Sequence, residues 1–301
     1  MALASVAALL MCGAAHAQSF RAYLSSSGND GNPCTVAAPC RLLPAALTAV
    51  ASGGEIWILD SANYNAGTVG ITKSVTILAV PGVVGSFVAF GGGPALVMSG
   101  GVDVKLRNMA VVNNVTNSGT DGIQITGGLL DVAESQFAVP GNAITATNAT
   151  VRVHHAVFRD LTNGIVAHGS STVDVWNSRF TNIYSTGIYA RADSASAVGT
   201  LSVSECSFAG VFYGVIASAE NFTATMKAAI AKSTFANGNY AITIENITGS
   251  GARGTVSSSA FSNHAGAFYN YNAALFESAG DNALGSTNGT NLGTITNVGR
   301  M

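Results

Sequence analysis

The sequence predicts an all-β solenoid, a stack of short strands wound into successive coils, and three observations predict it. One phrase recurs: "TVDVWNSRFTNIYSTGIYA" at 172–190 returns as "LLDVAESQFAVPGNAITA", "TVRVHHAVFRDLTNGIVA" and "TLSVSECSFAGVFYGVIA", with looser copies around Phe235 and Phe261. Each copy alternates apolar and polar residues in short segments and shows no helical spacing. The composition is apolar, turn-rich and nearly neutral: 48% hydrophobic residues, 35 glycines, 9% charged residues and a net charge of −2.

The recurrence has a measurable period. Aligned on Phe180, the copies are anchored at Met109, Phe137, Phe158, Phe180, Phe208, Phe235 and Phe261, spaced 28, 21, 22, 28, 27 and 26 residues apart. An aliphatic residue lies five positions before each anchor (Val104, Val132, Val153, Val175, Val203, Ile230, Val256). Another apolar residue follows most of them at seven or eight (Ile144, Ile165, Ile188, Val215, Ile242, Phe268). A period in the twenties built of three short strands cannot bury its inward residues alone, but stacked coils can. Asp160, Asn182, Asn237 and Asn263, two residues past their anchors, then form a polar column at a turn, suited to bonding backbone from coil to coil. A leucine-rich repeat lacks support, because the Leu/Asn spacing and the helix are missing. A two-sheet sandwich would not hold one phrase in register over seven copies.

In chain order, "MALASVAALLMCGAAHA" is an apolar run closed by Ala15 and Ala17, an A-x-A pattern that predicts a signal peptide over 1–17 with cleavage near Ala17. The run is too short for a permanent membrane span, and Met11 stands before Cys12 where a lipid-anchor site takes a small residue. The expectation is a secreted, periplasmic or extracellular chain with no membrane span. Residues 18–54 form an N-terminal module. Within it "NPCTVAAPCR" places Cys34 and Cys40 in a Pro-bounded loop, as a short disulfide staple requires, with a pair of free thiols as the alternative. "SGNDGNP" gathers Asn29, Asp30 and Asn32, which could offer oxygens to calcium or simply make an Asx turn. "RLLPAALTAV" has helical apolar spacing and predicts a capping helix near 41–51 that covers the open edge of the first coil. Coils are expected over 55–275 and a degenerate last coil or cap over 276–301. Cys206 reads as a small packed residue.

The repeat resembles the coils of right-handed parallel β-helix proteins of the pectate-lyase type. The N-terminal segment "FRAYLSSSGNDGNPCTVAAPCRLLPAALTAVASGGEIWILDSANYN" resembles the module that precedes the coils in secreted bacterial proteins of this kind, and the tail resembles their last coil. The resemblance implies a right-handed parallel β-helix. It does not imply one activity, because the fold hosts lyases, hydrolases, esterases, epimerases and inert adhesins.

In the lyase-like families the outward face of the first strand is the substrate groove. Counting six residues back from each anchor gives Asp103, Asp131, Arg152, Asp174, Ser202, Ala229 and Thr255, and four back gives Lys105, Ala133, His154, Trp176, Ser204, Ala231 and Ser257. Asp131, Arg152, His154, Asp174 and Trp176 are therefore the candidate site. Two readings stand. As a catalytic or sugar-binding site, two carboxylates two coils apart flank a basic residue, His154 serves as general base and Trp176 stacks on a sugar ring. As a charge ladder, Arg152 bridges Asp131 and Asp174 and holds both as ions, which is wrong for a general acid. The families' acidic calcium cluster, adjacent Asp pair and R-x-K segment are absent, and "AHGS" at His168 matches their Gly-His-Gly only superficially. A second outward face carries His168, Tyr189, Arg191, Glu245, Tyr269 and Tyr271, whose aromatics read as packed partners or edge covers, with sugar platforms as the alternative. His154 and His155, adjacent on a strand, are expected to point to opposite sides.

The functional expectation is binding of polysaccharide or surface and matrix material without turnover. The alternative is a polysaccharide lyase or glycoside hydrolase acting on acidic polysaccharide. Low charge without Lys/Arg clusters argues against nucleic acid.

Overall fold

The computed structural model describes residues 18–113, 121–247, 249, 251–285 and 291–299. The segment expected to be a signal peptide, 1–17, lies outside them. Among the described residues the strands pair in parallel into a twelve-stranded sheet, whose order follows the chain, and a fourteen-stranded sheet that carries the remaining strands of each coil. This is a parallel β-helix. One coil runs Thr172–Trp176 on the first sheet and then Arg179–Ala192 on the second.

The expected inward columns exist as drawn from the phrase. Val132, Val153, Val175, Val203, Ile230 and Val256 are register partners in sequence, and so are Ile144, Ile165, Ile188, Val215, Ile242 and Phe268. The rings of Phe137, Phe158, Phe180, Phe208, Phe235 and Phe261 stack face to face with centroids 4.5–5.2 Å apart, all buried. That spacing matches the ~4.8 Å rise between neighbouring strands, so each coil adds one ring to the pile. The glycine of the recurring "G-I" is part of this packing. A Cβ on Gly187 would lie 2.6 Å from the Gly214 carbonyl oxygen and 2.9 Å from the Phe208 ring.

The coil at Met109 departs from the expected alignment. Val111, not Met109, pairs with Phe137, and Leu106, not Val104, pairs with Val132. The coil has Val where its neighbours have Phe, so the large Met109 two residues earlier took the aromatic's place in the alignment. The register is consequently two residues off on that coil.

Two turns carry the corners. At one, Asp160, Asn182, Asn237 and Asn263 adopt φ values of 53–60°, and Asn263 Nδ2 donates to Asn237 Oδ1 at 2.7 Å. Short polar side chains tolerate this left-handed backbone best. The second and third strands of the later coils run through this corner without interruption, where three separate strands were expected. At the other turn, two residues before the Phe, most coils place a serine, and Ala156 and Cys206 stand in the same column. Ser178 and Ser233 each donate to the carbonyl two residues back and accept an amide from the preceding coil (Ala156 N and Cys206 N, both 3.2 Å). Cys206 occupies this column, buried and free, with its Sγ 3.3 Å from the Ser204 carbonyl. Burial pushes its thiol pKa up to about 11.

In the N-terminal module Cys34 and Cys40 are bonded. A seven-residue helix, Leu43–Ala49, packs Leu43, Ala46 and Leu47 into the core beside the first strands. It is shorter than 41–51 because the strand Val50–Ile58 begins at once. Asp30 Oδ1 accepts the amides of Arg41 (2.8 Å) and of the N-cap Leu42 (2.7 Å), tying the loop to the residues that lead into the helix. Asn29 Oδ1 accepts from Gly31 N, and Asn32 Nδ2 donates to the Pro39 carbonyl. The three side chains weighed as calcium ligands thus do the loop's own bonding. Among the described residues no group of three His, Cys, Asp or Glu is placed to hold a metal.

Candidate functional site

The outward face of the twelve-stranded sheet brings all five candidate residues together. Asp131 on Leu129–Ala133, Arg152 on Thr150–His154 and Asp174 on Thr172–Trp176 are successive register partners, as are Ala133, His154 and Trp176. Alternation sends Val132, Val153 and Val175 inward, which fixes these five side chains outward.

The charge pairing differs from a bridge centred on Arg152. Arg152 Nε lies 3.9 Å from Asp174 Oδ2, and both side chains are well exposed, at 50% and 37%. Asp131 instead meets Arg107, Nη1 to Oδ1 at 2.9 Å, in a half-buried contact. The pair lacks hydrogen-bond alignment, because the same Nη1 donates to the carbonyls of Leu106 and Asp131, so Asp131 Oδ1 is buried without an aligned donor. Arg107 stands opposite Ala133, a small residue that leaves it room to swing across. The two-residue register error on that coil hid Arg107 and put Asp103 in the face. The true partner of Asp131 on that side is Lys105.

His154 is the centre of the aromatic part. Its ring stacks on Trp176 at 4.6 Å and 6°, and its Nε2 lies 3.8 Å from Asp131 Oδ1. Burial holds its pKa below the ordinary imidazole value, and Arg107 and His155 push the same way against the pull of Asp131. His154 is therefore neutral at pH 7. His155 does not point away. The strand ends at His154, His155 takes φ 53°, and the two Nδ1 atoms come within 3.1 Å.

The same column continues towards the N-terminus, beyond the reach of the aligned copies. Arg21 lies over the Trp57 ring at 3.9 Å and pairs with Glu55 at 2.7 Å, and Trp57 Nε1 donates to the same Glu55 oxygen. Towards the C-terminus the register partners of Trp176 are Ser204 and then Ala231. The aromatic half-face thus opens onto a shelf of small side chains.

The second outward face is a bonded network rather than isolated aromatics. His168 Nδ1 lies 2.8 Å from Asp193 Oδ2, Arg191 pairs with Asp193 (3.5 Å) and Glu220 (2.8 Å), and Tyr189 donates its hydroxyl to Glu220 Oε1 (2.9 Å). Asp193 and Glu220 lie just past the ends of their strands, in turns of unequal length, where the repeat offers no column to mark them.

No protein-family model matches the chain, and no curated protein matches it significantly. Solved structures do match. A GH136 lacto-N-biosidase from Eubacterium ramulus superposes with a TM-score of 0.51 at 8% identity, over 92% of this chain and 67% of that one. An alginate lyase from Paenibacillus sp. str. FPU-7 gives a TM-score of 0.47 at 13% identity, over 77% of this chain and all of the other. Pectate lyase Pel9A gives 0.43 at 14% identity, over 91% and 78%. At such identities the likeness is one of fold: this chain is an all-β parallel β-helix, the architecture it shares with the lacto-N-biosidase.

Proposed function

We propose that this is a secreted β-helix protein that binds a polysaccharide along the face of Asp131, Arg152, His154, Asp174 and Trp176 without turning it over. The observation that carries the reading is the asymmetry of Trp176. One face of its indole is covered by His154 at 4.6 Å, while the opposite face looks over Ser204 and Ala231. A sugar ring fits against an indole face in this way, with Arg152, half exposed and loosely paired, beside it. The shared fold of a GH136 lacto-N-biosidase supports a carbohydrate-directed role. The Cys34–Cys40 bond supports passage through an oxidising compartment. Against turnover stands Asp131, whose half-buried carboxylate is paired with Arg107 at 2.9 Å and so is taken up inside the ladder rather than offered to a ligand.

A second reading, a polysaccharide lyase or glycoside hydrolase acting on acidic polysaccharide, rests on His154, neutral at pH 7 and beside Asp131 as a base beside its orienting carboxylate. Two variants separate the readings. Trp176→Ala should weaken oligosaccharide binding by about 1 kcal/mol, roughly fivefold in Kd, with the melting temperature unchanged. Asp174→Asn should leave binding nearly intact if the face only binds, and should abolish product formation if it is catalytic. An unaltered binding profile in both variants would remove the face from consideration.

A further inference from the structure

The outer face of the fourteen-stranded sheet holds a hollow of about 410 Å³, within the ~300–1,000 Å³ range of small-molecule sites. Its floor is a register column, Asn163, Thr186 and Tyr213, and its wall is Tyr189, His168 and Arg191. We propose that this hollow is a binding site for a neutral, hydroxyl-rich sugar, on a different sheet from the ladder face.

The charges decide which ligand fits. The basic groups among the described residues lining the hollow are already engaged: Arg191 is paired with Asp193 and Glu220, and His168 Nδ1 lies against Asp193 Oδ2. Glu245 lies two strands beyond Arg191 in the same register column and adds to the carboxylates on that side. A uronate or phosphate would meet no unpaired cation and several carboxylates, so an anionic ligand is disfavoured.

What remains for a ligand carries no net charge. Asn163 turns its amide to Asn142 Oδ1 (2.8 Å) and accepts Thr186 N (3.0 Å), which fixes its orientation at the floor. The hydroxyls of Ser185 and Thr186 lie beside it, 3.3 Å apart. Arg191 Nε is buried with no hydrogen-bond partner, a donor left over from its two ion pairs. Tyr213 supplies an aromatic surface at the end of the floor, and Tyr240 continues it at 6.4 Å with its ring nearly parallel. Amide and hydroxyl groups grouped beside tyrosine rings match a pyranose, whose hydroxyls need donors and acceptors and whose C–H face packs on an aromatic.

The test is calorimetric titration of the folded chain with neutral pentasaccharides (cello-, xylo- and β-1,3-gluco-) and with pentagalacturonate. At least one neutral probe should bind. Tyr213→Ala should raise its Kd about fivefold to tenfold, the worth of one aromatic contact. Ser185→Trp, placed at the irregular corner where a bulky side chain fills the hollow without entering the core, should abolish that binding. Melting curves on both variants establish that they fold. The proposal is overturned if no neutral probe binds the wild-type chain, if both variants bind as well as wild type, or if pentagalacturonate competes equally for the same site. Binding at the ladder face is read separately, through Trp176→Ala, so either site can fail without the other.

Discussion

Cys206 shows how a single residue takes its meaning from its column. Its sequence setting, "SECSF", predicts no more than a packed small side chain, and it is buried as expected. Its column, two before each Phe, reads Ser135, Ala156, Ser178, Cys206, Ser233 and Ser259, a run of small residues in which serine dominates. The serines bond coil to coil, and the thiol stands in as a weaker donor. His264 is the opposite case. It is buried among apolar neighbours, both ring nitrogens lack a hydrogen-bond partner, and a Cβ on Gly238 would meet its ring at 2.9 Å. Burial lowers its pKa, and the nearby Phe235 carbonyl, out of hydrogen-bonding geometry, offsets this only in part. The unfolded chain takes up a proton near pH 6.5 that the folded chain resists, so stability is lost as pH falls below about 6.5. His264→Leu should therefore leave the melting temperature at pH 7 unchanged or higher, and should reduce its fall between pH 7 and pH 5. Equal slopes in the two proteins would show that His264 is not the group responsible.

At the scale of one coil, the phrase reports packing faithfully where each coil carries its own Phe, and fails where one does not. Val111 fills the Phe position without an aromatic to mark it, and the resulting two-residue slip concealed Arg107, the ion partner of Asp131. A slip of that size keeps inward residues inward, so the core gave no warning of it. The recurring glycine is a second test of coil packing. Gly187→Ala adds a methyl against the Gly214 carbonyl and the Phe208 ring, where neither can retreat without moving the stack. Overpacking of this kind costs about 1–3 kcal/mol. Urea denaturation should show that loss for Gly187→Ala and almost none for Gly67→Ala, whose added Cβ meets nothing within 4 Å.

Across the whole molecule, architecture was legible because every coil restates it, while the two faces were legible only in part. Column positions on the first sheet repeat, so Asp131, Arg152, His154, Asp174 and Trp176 align from the sequence alone. Which charge pairs with which depends on register between neighbouring coils and on rotamers, neither of which the repeat encodes, and for that reason Arg152 was given a partner that belongs to Arg107. Asp193 and Glu220 lie in turns that differ from coil to coil, outside any repeating position. The solenoid thus presents two long outward faces of different character, one a ladder of exposed charge ending at Trp176, the other a neutralised network beside a tyrosine wall. The proposed role of the ladder face is to bind polymer and leave it whole. The direct measurement is a glycan array with the wild-type chain, followed by product analysis of every bound polymer by size and by absorbance of unsaturated ends. The expected result is binding that Trp176→Ala weakens, with no shortening of the polymer and no unsaturated product. Accumulation of shorter chains that ceases in Asp174→Asn would contradict it and establish the face as an active site.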